Sequence, residues 1–396
     1  MNIERNVIIQ ARPMADAIPR PIEMCEHKGI GHPDTLTDGA CEAAACALAT
    51  AYEDACGRVL HFNLDKGLLV AGRSVPRFGG GAISEPIKLI VCGRATRCAG
   101  KFDVSDVVVA AVNDFLRRSI RVDPGIFQVV TEIKEGSASL ASVYAGERTV
   151  AVANDTSFGV GFAPFSQLEQ EVLHMAARLR SAAFREQFPS AGDDFKVMGL
   201  RLHDELRFTV ALAMIDRHIG SVAHYVETKQ AIKAHLALDP PPGSVIRLNC
   251  LDQTDACDES GLHLTVTGLS AEMGDDGQVG RGNRINGLIT PNRPMSLEAA
   301  AGKNPVSHVG KVYNVLADAI ARDIIASIEG LNEAAVQVLS TIGQPMDHPQ
   351  VAFVEVGPAT ELTAATRQKI SKLVNAWFDR IDAVTSDLAH GQIAVF

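Results

Sequence analysis

Apolar residues fall into two registers along this chain, and each register predicts a kind of element. Val312, Leu316, Ile320, Ile324 and Ile328 recur every fourth position, which predicts a long helix over 307–329 with Gly330 as its stop. Leu168, Val172, Leu173, Ala176 and Leu179 share one face behind Ser166-x-x-Glu169, a capping box opening a helix that runs to about Phe188. Further helices are expected over the alanine-rich 40–56, over 104–118 with Asp103 or Ser105 as cap, and near 223–238 and 363–378. The second register alternates. Leu206, Phe208, Val210 and Leu212 mark a half-buried strand, and strands are also expected at 58–63, 87–92, 125–133, 263–267 and 351–356. The stretch up to Ile22, broken by Pro13, Pro19 and Pro21, is expected to pack as an irregular arm. Asp239-Pro240-Pro241-Pro242-Gly243 is the clearest linker.

Helices and strands interleave, and the strands alternate instead of running apolar throughout. Sheets covered by helices on one face follow, an α+β fold. Two or three strands and a long helix recur along the chain, which suggests repeated lobes, although the residues themselves show no repeat. A length of 396 residues extends this to two or three domains or lobes. The net charge of −10 and pI of about 5.7 argue against a general nucleic-acid role, so basic groups must be concentrated locally if the ligand is anionic. No stretch has the unbroken apolar length of a membrane span, and Met1 to Glu23 lacks the apolar run of a signal peptide; a cytoplasmic place is expected. The eight cysteines include no C-x-x-C pair and read as scattered buried thiols in a reducing compartment.

Both registers fail between Ala271 and Lys311. This stretch joins Asp275 and Asp276 to Gly274, Gly277, Gly280 and Gly282, with Arg281, Arg284, Arg293, Lys303 and Lys311 completing a polar set. A loop of such length in a compact chain is usually functional or disordered, and low complexity or a run of one charge sign is absent here. Glycine allows close approach to a ligand, Arg and Lys bind phosphate oxygens, and neighbouring carboxylates suit Mg²⁺. The stretch therefore reads as a polyphosphate site. Gly31-His32-Pro33-Asp34 adds a histidine followed by Asp34 and Asp38 at i,i+4 spacing, which serve equally well as ordinary helix caps. Asn63-x-Asp65 and Asn154-Asp155 are compatible with simple Asx turns, Gly136-Ser137 with a common turn, and Lys303 with a surface lysine. The GxxxxGK[ST] loop, a GxGxxG directly after a strand, G-x-S-x-G and HExxH are all missing.

Gly-His-Pro-Asp at 31–34, NDTSFGVGFAP at 154–164, GRGNRINGLITPNR and AAAGKNPVSHVGK closely resemble the archaeal-type S-adenosylmethionine synthetases (methionine adenosyltransferases). Phe78-Gly79-Gly80-Gly81 and Lys196-Val197-Met198-Gly199-Leu200 extend the likeness over nearly the whole chain, from about Glu23 to Phe396. The resemblance implies that the thioether sulfur of L-methionine attacks C5′ of ATP, with the triphosphate then hydrolysed to pyrophosphate and phosphate. It implies His32 near the ribose and leaving oxygen, Asp155 against methionine or adenosine, and Asp275 near methionine. Arg281 and Lys303 would take the phosphates, and Asp34 would bind Mg²⁺, with K⁺ a second activator without assigned ligands. Gly136 and Ser137 would form a nucleotide-binding turn. Asn63, Asp65, Asn154, Asn283, Ser307, His308 and Lys311 are further candidates for ATP contact. The implied fold is a single unit over 1–396, three similar lobes of mixed sheets covered by helices around a pseudo-threefold axis. The implied assembly is a homodimer or dimer of dimers with active sites at the subunit interface.

The chain also departs from the family pattern. Ser139 stands where an Asp often follows, Ala71-Gly72 replaces a double glycine, and Pro294 stands where His is usual. The core charged set is untouched, so substrate preference and rate are the properties these changes put in question. Two rivals remain at this level: an enzyme of the same fold using another thioether or nucleotide, and a catalytically poor paralogue kept as an assembly partner.

Overall fold

Three helix-covered sheets divide the apolar residues among them in the computed structural model, which describes residues 5–12, 21–136, 150–358 and 362–396. The first lobe opens with α1 (Pro33–Cys56) and continues through strands Phe62–Asn63, Leu68–Val70 and Ile87–Ala95. It closes with α2 (Val104–Ser119) and strand Phe127–Lys134, which lies parallel to Ile87–Ala95. The second lobe runs α3 (Gln167–Arg180), α4 (Ala182–Gln187), hairpin Ala191–Leu202 with Glu205–Ile215, α5 (Val222–Leu236), then the parallel strand Val245–Leu248. The third runs α6 (Val309–Ser327), hairpin Leu331–Leu339 with Val351–Pro358, α7 (Ala364–Asp379) and α8 (Ile381–Ala389). Its parallel edge strand is Val7–Ala11, from the other end of the chain.

Each lobe thus repeats helix, antiparallel pair, helix and parallel edge strand. A strand ahead of each opening helix is given to a different sheet. Ile22–Lys28, before α1, pairs with Ala191–Leu202; Phe158–Ala163, before α3, pairs with Leu331–Leu339. Gly277–Gln278, before α6, pairs with Leu68–Val70. The exchange returns to its start after three steps, so the fold is α+β with three similar, interlocked lobes. Each has its own apolar core, formed between one face of its sheet and its helices.

The helical period held where it was strongest. Val312, Leu316, Ile320 and Ile324 are fully buried, and Gly330 takes a φ of 80° just past the helix. Asp103 caps α2 by accepting from the Ser105 and Asp106 N–H groups, and the Ser166–Glu169 box is formed in both directions. Four expectations need correction. The first helix starts at Pro33, not Ala40, because proline fits the first helical position and His32 caps it. The helix expected to reach Phe188 breaks at Ser181, which ends α3 and caps α4 through the Phe184 N–H. The strands over 58–63 and 263–267 shrink to Phe62–Asn63 and Leu264–Thr265. The irregular arm contains a true strand, Val7–Ala11, which finds its partner only in the last sheet. The proline-rich 239–243 segment joins α5 to the next strand of the same sheet.

Alternation leaves apolar residues on the helix-free faces of all three sheets. Ile8, Ile22, Met24, Leu68, Val70 and Phe158 are each between 39% and 48% exposed. No described helix is long and apolar enough to cross a membrane. The cysteines are less buried than expected: Cys25, Cys41 and Cys98 are inside, Cys46, Cys56 and Cys92 are half-buried, and Cys250 and Cys257 are exposed.

Candidate active site

The first turn of α1 is the floor of a polar cluster. Asp34 Oδ2 accepts from the Lys28 ammonium at 2.8 Å, and Asp34 Oδ1 accepts from the Gln278 N–H at 2.9 Å. Lys28 also donates to the Arg281 carbonyl at 2.8 Å. Asn283 clamps the backbone of Lys28, accepting its N–H and donating to its carbonyl, both at 2.9 Å. One buried lysine thus fixes both the Asp34 carboxylate and the loop that bears Arg281. The loop can lie this close because of glycine: a Cβ at Gly277 would meet the Pro33 carbonyl at 2.2 Å, and one at Gly282 would meet Asp38 Oδ2 at 2.0 Å. Asp38 accepts from the Gly280 N–H at 2.7 Å, while its other oxygen is buried without a partner. Burial pushes its carboxyl up to about 7, against the pull of the Gly280 N–H and Arg284.

His32 caps α1 with Nδ1 accepting from the Asp34 N–H at 3.2 Å. Burial first, and Lys28 second, push its imidazole down to about 4. The ring is therefore neutral near pH 7, and with Nδ1 occupied as acceptor the proton sits on Nε2. His308 repeats this at the start of α6, accepting from the Gly310 N–H at 3.2 Å and held down at about 3 by burial and Lys303.

Two turns along the same face of α1, ~12 Å from Asp34 at 1.5 Å per residue, Glu42 anchors a second cluster. It accepts from the Lys311 ammonium at 2.7 and 2.8 Å and from the Gly302 N–H at 2.9 Å. Next to Gly302, the Lys303 ammonium meets Asp65 at 2.6 Å and Glu298 at 3.2 Å. Burial opposes ionisation of Asp65, but Lys303 and Lys66 outweigh it and hold the carboxyl down at about 2. Burial raises Asp155, as do Glu298 and Asp65, with Lys303 opposing; this turn therefore faces the same cluster. The Asn154 N–H donates to the Ser307 carbonyl at 3.2 Å, and the side-chain oxygens of Asn63 and Asn154 are buried without partners. Such orphaned acceptors are costly unless a ligand uses them.

The candidate residues therefore separate. His32, Asp34, Asp275 and Arg281 belong to the first cluster, and Asp65, Asp155, Lys303, Ser307 and His308 to the second. Asp275 is exposed, its carboxyl raised by partial burial and by Asp34. Of the three arginines, Arg284 is spent on the Gly280 and Gly282 carbonyls, and Arg293 on Glu169 and Glu333. Arg281 is exposed and pairs with no carboxylate among the described residues. Two expected ATP contacts have other partners: Lys311 is fully buried on Glu42, and Asn283 is committed to Lys28. Asp276 accepts from the Ala71 N–H at 2.8 Å and so braces the loop. Gly136 lies where a Cβ would meet the His61 ring at 2.5 Å, and Ser137 lies outside the described residues.

Sequence reasoning missed Lys28, Glu42 and Asp194. The signal for Glu42 was its place eight residues after Asp34, one face of a helix. Asp194 accepts from the Ser270 N–H at 2.8 Å and is pushed up to about 7 by burial, with Asp275 and Asp34 adding to the shift. Among the described residues no three His, Cys, Asp or Glu side chains already stand in a ready-made metal cage. Mg²⁺ does not require one, since it binds one or two carboxylates and completes its shell with water and substrate phosphates. Asp34, whose charge raises the neighbouring Asp275 carboxyl, fits that requirement.

A family model for S-adenosylmethionine synthetase matches residues 5–392. An S-adenosylmethionine synthase of Methanothermobacter marburgensis is 42% identical over 400 residues, covering 99% of this chain and 100% of the relative. One from Hyperthermus butylicus is 42% identical over 410 residues with the same coverage. A solved structure, described as an unusual S-adenosylmethionine synthetase from Campylobacter jejuni, shares the fold. Its TM-score is 0.61 at 15% identity, over 93% of each chain. The length and evenness of these matches leave one conclusion: the chain belongs to the S-adenosylmethionine synthetase family, whose members make S-adenosylmethionine from ATP and methionine.

Proposed function

We propose that adenosyl transfer from ATP to L-methionine runs along the face of α1 that carries Asp34, Asp38 and Glu42, with the triphosphate between Arg281 and Lys303. The observation that carries this reading is that two clusters share one helix: segments 28–34 and 275–284 meet at Asp34 and Asp38, and 63–65 and 154–155 meet segment 298–308, which reaches Glu42 two turns further along. A thioether is a neutral nucleophile with no proton to lose, so attack on C5′ needs no general base. The difficulty is the leaving triphosphate, and catalysis must come from positioning and charge stabilisation. Arg281 offers an unpaired guanidinium for bidentate contact with phosphate. Lys303 offers a buried ammonium that exchanges Asp65 and Glu298 for phosphate oxygens. His32, neutral with Nε2–H free to donate, suits the leaving oxygen. Asp275 is assigned to methionine and Asp155 to methionine or adenosine. The same phosphate-holding groups serve the subsequent hydrolysis to pyrophosphate and phosphate.

The family is metal-dependent. Asp34 is assigned to Mg²⁺, which when bound would neutralise phosphate charge; K⁺ is the proposed second ion. The interlocked strands support one unit over 1–396. The apolar helix-free sheet faces support a homodimer or dimer of dimers with sites at the subunit interface, and exposed free thiols support a cytoplasmic place. No nucleic acid or membrane partner is assigned. Arg281→Ala and Lys303→Ala are expected to lose adenosyl transfer and triphosphate hydrolysis together, by roughly 10²-fold or more. Near wild-type rates at saturating ATP, in a variant with unchanged circular dichroism, would remove the phosphate role from that residue.

A further inference from the structure

Among the described residues, Cys56 and Cys98 stand in sulfur-to-sulfur contact, their Sγ atoms 3.0 Å apart. That is about 1 Å beyond a bonded S–S separation. Cys56 is the last residue of α1, and Cys98 lies in the loop between strand Ile87–Ala95 and α2. The two segments are tied on both sides of the thiols. The Tyr52 hydroxyl donates to the Thr96 carbonyl, and the Lys101 ammonium donates to the Ala55 carbonyl. Cys98 opens onto a groove of mixed charge, where Arg97, Lys101 and Lys134 stand beside Asp103 and Glu135. Burial and the neighbouring Cys56 raise the Cys98 thiol, with Lys101 opposing, and Cys56 is the more accessible of the two.

We propose that Cys56 and Cys98 are a modification site that reacts with a low-molecular-weight disulfide and closes to a reversible intramolecular disulfide. The Cys56 thiolate attacks one sulfur of the oxidant, whose S–S bond breaks and releases one thiolate. Cys98, as thiolate, then attacks Cys56 Sγ and displaces the second. Two protein thiols are oxidised, the oxidant is reduced to two thiols, and those take up the two protons. The site lies outside the residues assigned to catalysis, yet it is coupled to them by short links. The Thr96 N–H and hydroxyl both donate to the His61 carbonyl, at 3.0 and 2.9 Å, and the His61 ring backs Gly136. Closure braces the Thr96–His61 link that stands behind Gly136.

The test is to incubate the folded full chain with oxidised glutathione at graded ratios to reduced glutathione, quench by alkylation and map peptides by mass spectrometry. The expected result is a Cys56–Cys98 linked peptide that disappears with dithiothreitol and forms at least tenfold faster than in the urea-unfolded chain. In Cys98→Ser, glutathione should remain on Cys56, since nothing resolves the adduct. Two alkylated thiols in the oxidised wild-type protein, or a lasting glutathione adduct on either without the link, would overturn the proposal. The wild-type measurement decides the matter even if the serine variant does not fold.

Discussion

His32 shows most directly how a single residue is made fit for its task. The cap hydrogen bond fixes the tautomer, and burial removes the charge, so the ring donates without titrating near neutrality. His32→Ala is expected to fold and turn over slowly. In the wild-type chain, this group should leave the rate unchanged as pH falls from 7 until it nears about 4. The stability effect has a definite sign. The unfolded ring takes up its proton near 6.5 and the folded ring only near 4, so this contribution is lost as pH falls through that window. Asp38 and Asp194, raised to about 7 from 3.8, act in the opposite sense over 7 to 3.8. The comparison must therefore be between His32→Gln and wild type. The melting temperature of wild type minus that of the variant should be greatest above pH 6.5 and fall steadily to its lowest value below pH 4; a constant difference would contradict the assigned shift. The candidate motif was legible at this scale because glycine, histidine and acids stood together. Lys28 was not, since its partners Asp34, Arg281 and Asn283 are set by folding alone.

At the scale of elements, α1 is the organising piece, and its join to α6 can be tested. Lys311 and Glu42 form a buried pair, so Lys311→Met should destabilise the chain by roughly 3–5 kcal/mol by stranding the carboxylate. Adding Glu42→Gln should recover a large part of that loss in denaturant titration. If the single variant melts normally but loses ATP affinity, the resemblance-based role for Lys311 would be restored. Helices were the legible elements because four-residue spacing persists over many turns: α6 buries the apolar positions its period marks. Two-residue strands such as Phe62–Asn63 and Leu264–Thr265 are too short to carry a period. Val7–Ala11 carries one, but its partner lies some 340 positions away (Val7 opposite Ala352), and prolines beside it argued for irregular backbone. The loop 271–311 lost its period for a physical reason. It is laid on α1 through glycines and backbone hydrogen bonds to Asp34 and Asp38, and apolar contacts do little to place it.

At the scale of the whole molecule, the cyclic exchange of strands couples three lobes whose cores are separate. The repeat was visible in element order and invisible in residues, since each lobe needs only the same apolar pattern, not the same side chains. The exposed apolar sheet faces are the remaining unsatisfied feature. Met24→Asp with Leu68→Asp should shift the chain to monomer mass by analytical ultracentrifugation and lower activity; an unchanged mass would place the interface elsewhere. The most direct measurement is of the reaction itself. Purified chain incubated with ATP, L-methionine, Mg²⁺ and K⁺ should yield S-adenosylmethionine by mass spectrometry, with pyrophosphate and phosphate released in equal amounts to it. No S-adenosylmethionine above a no-enzyme control, from folded protein, would contradict the account.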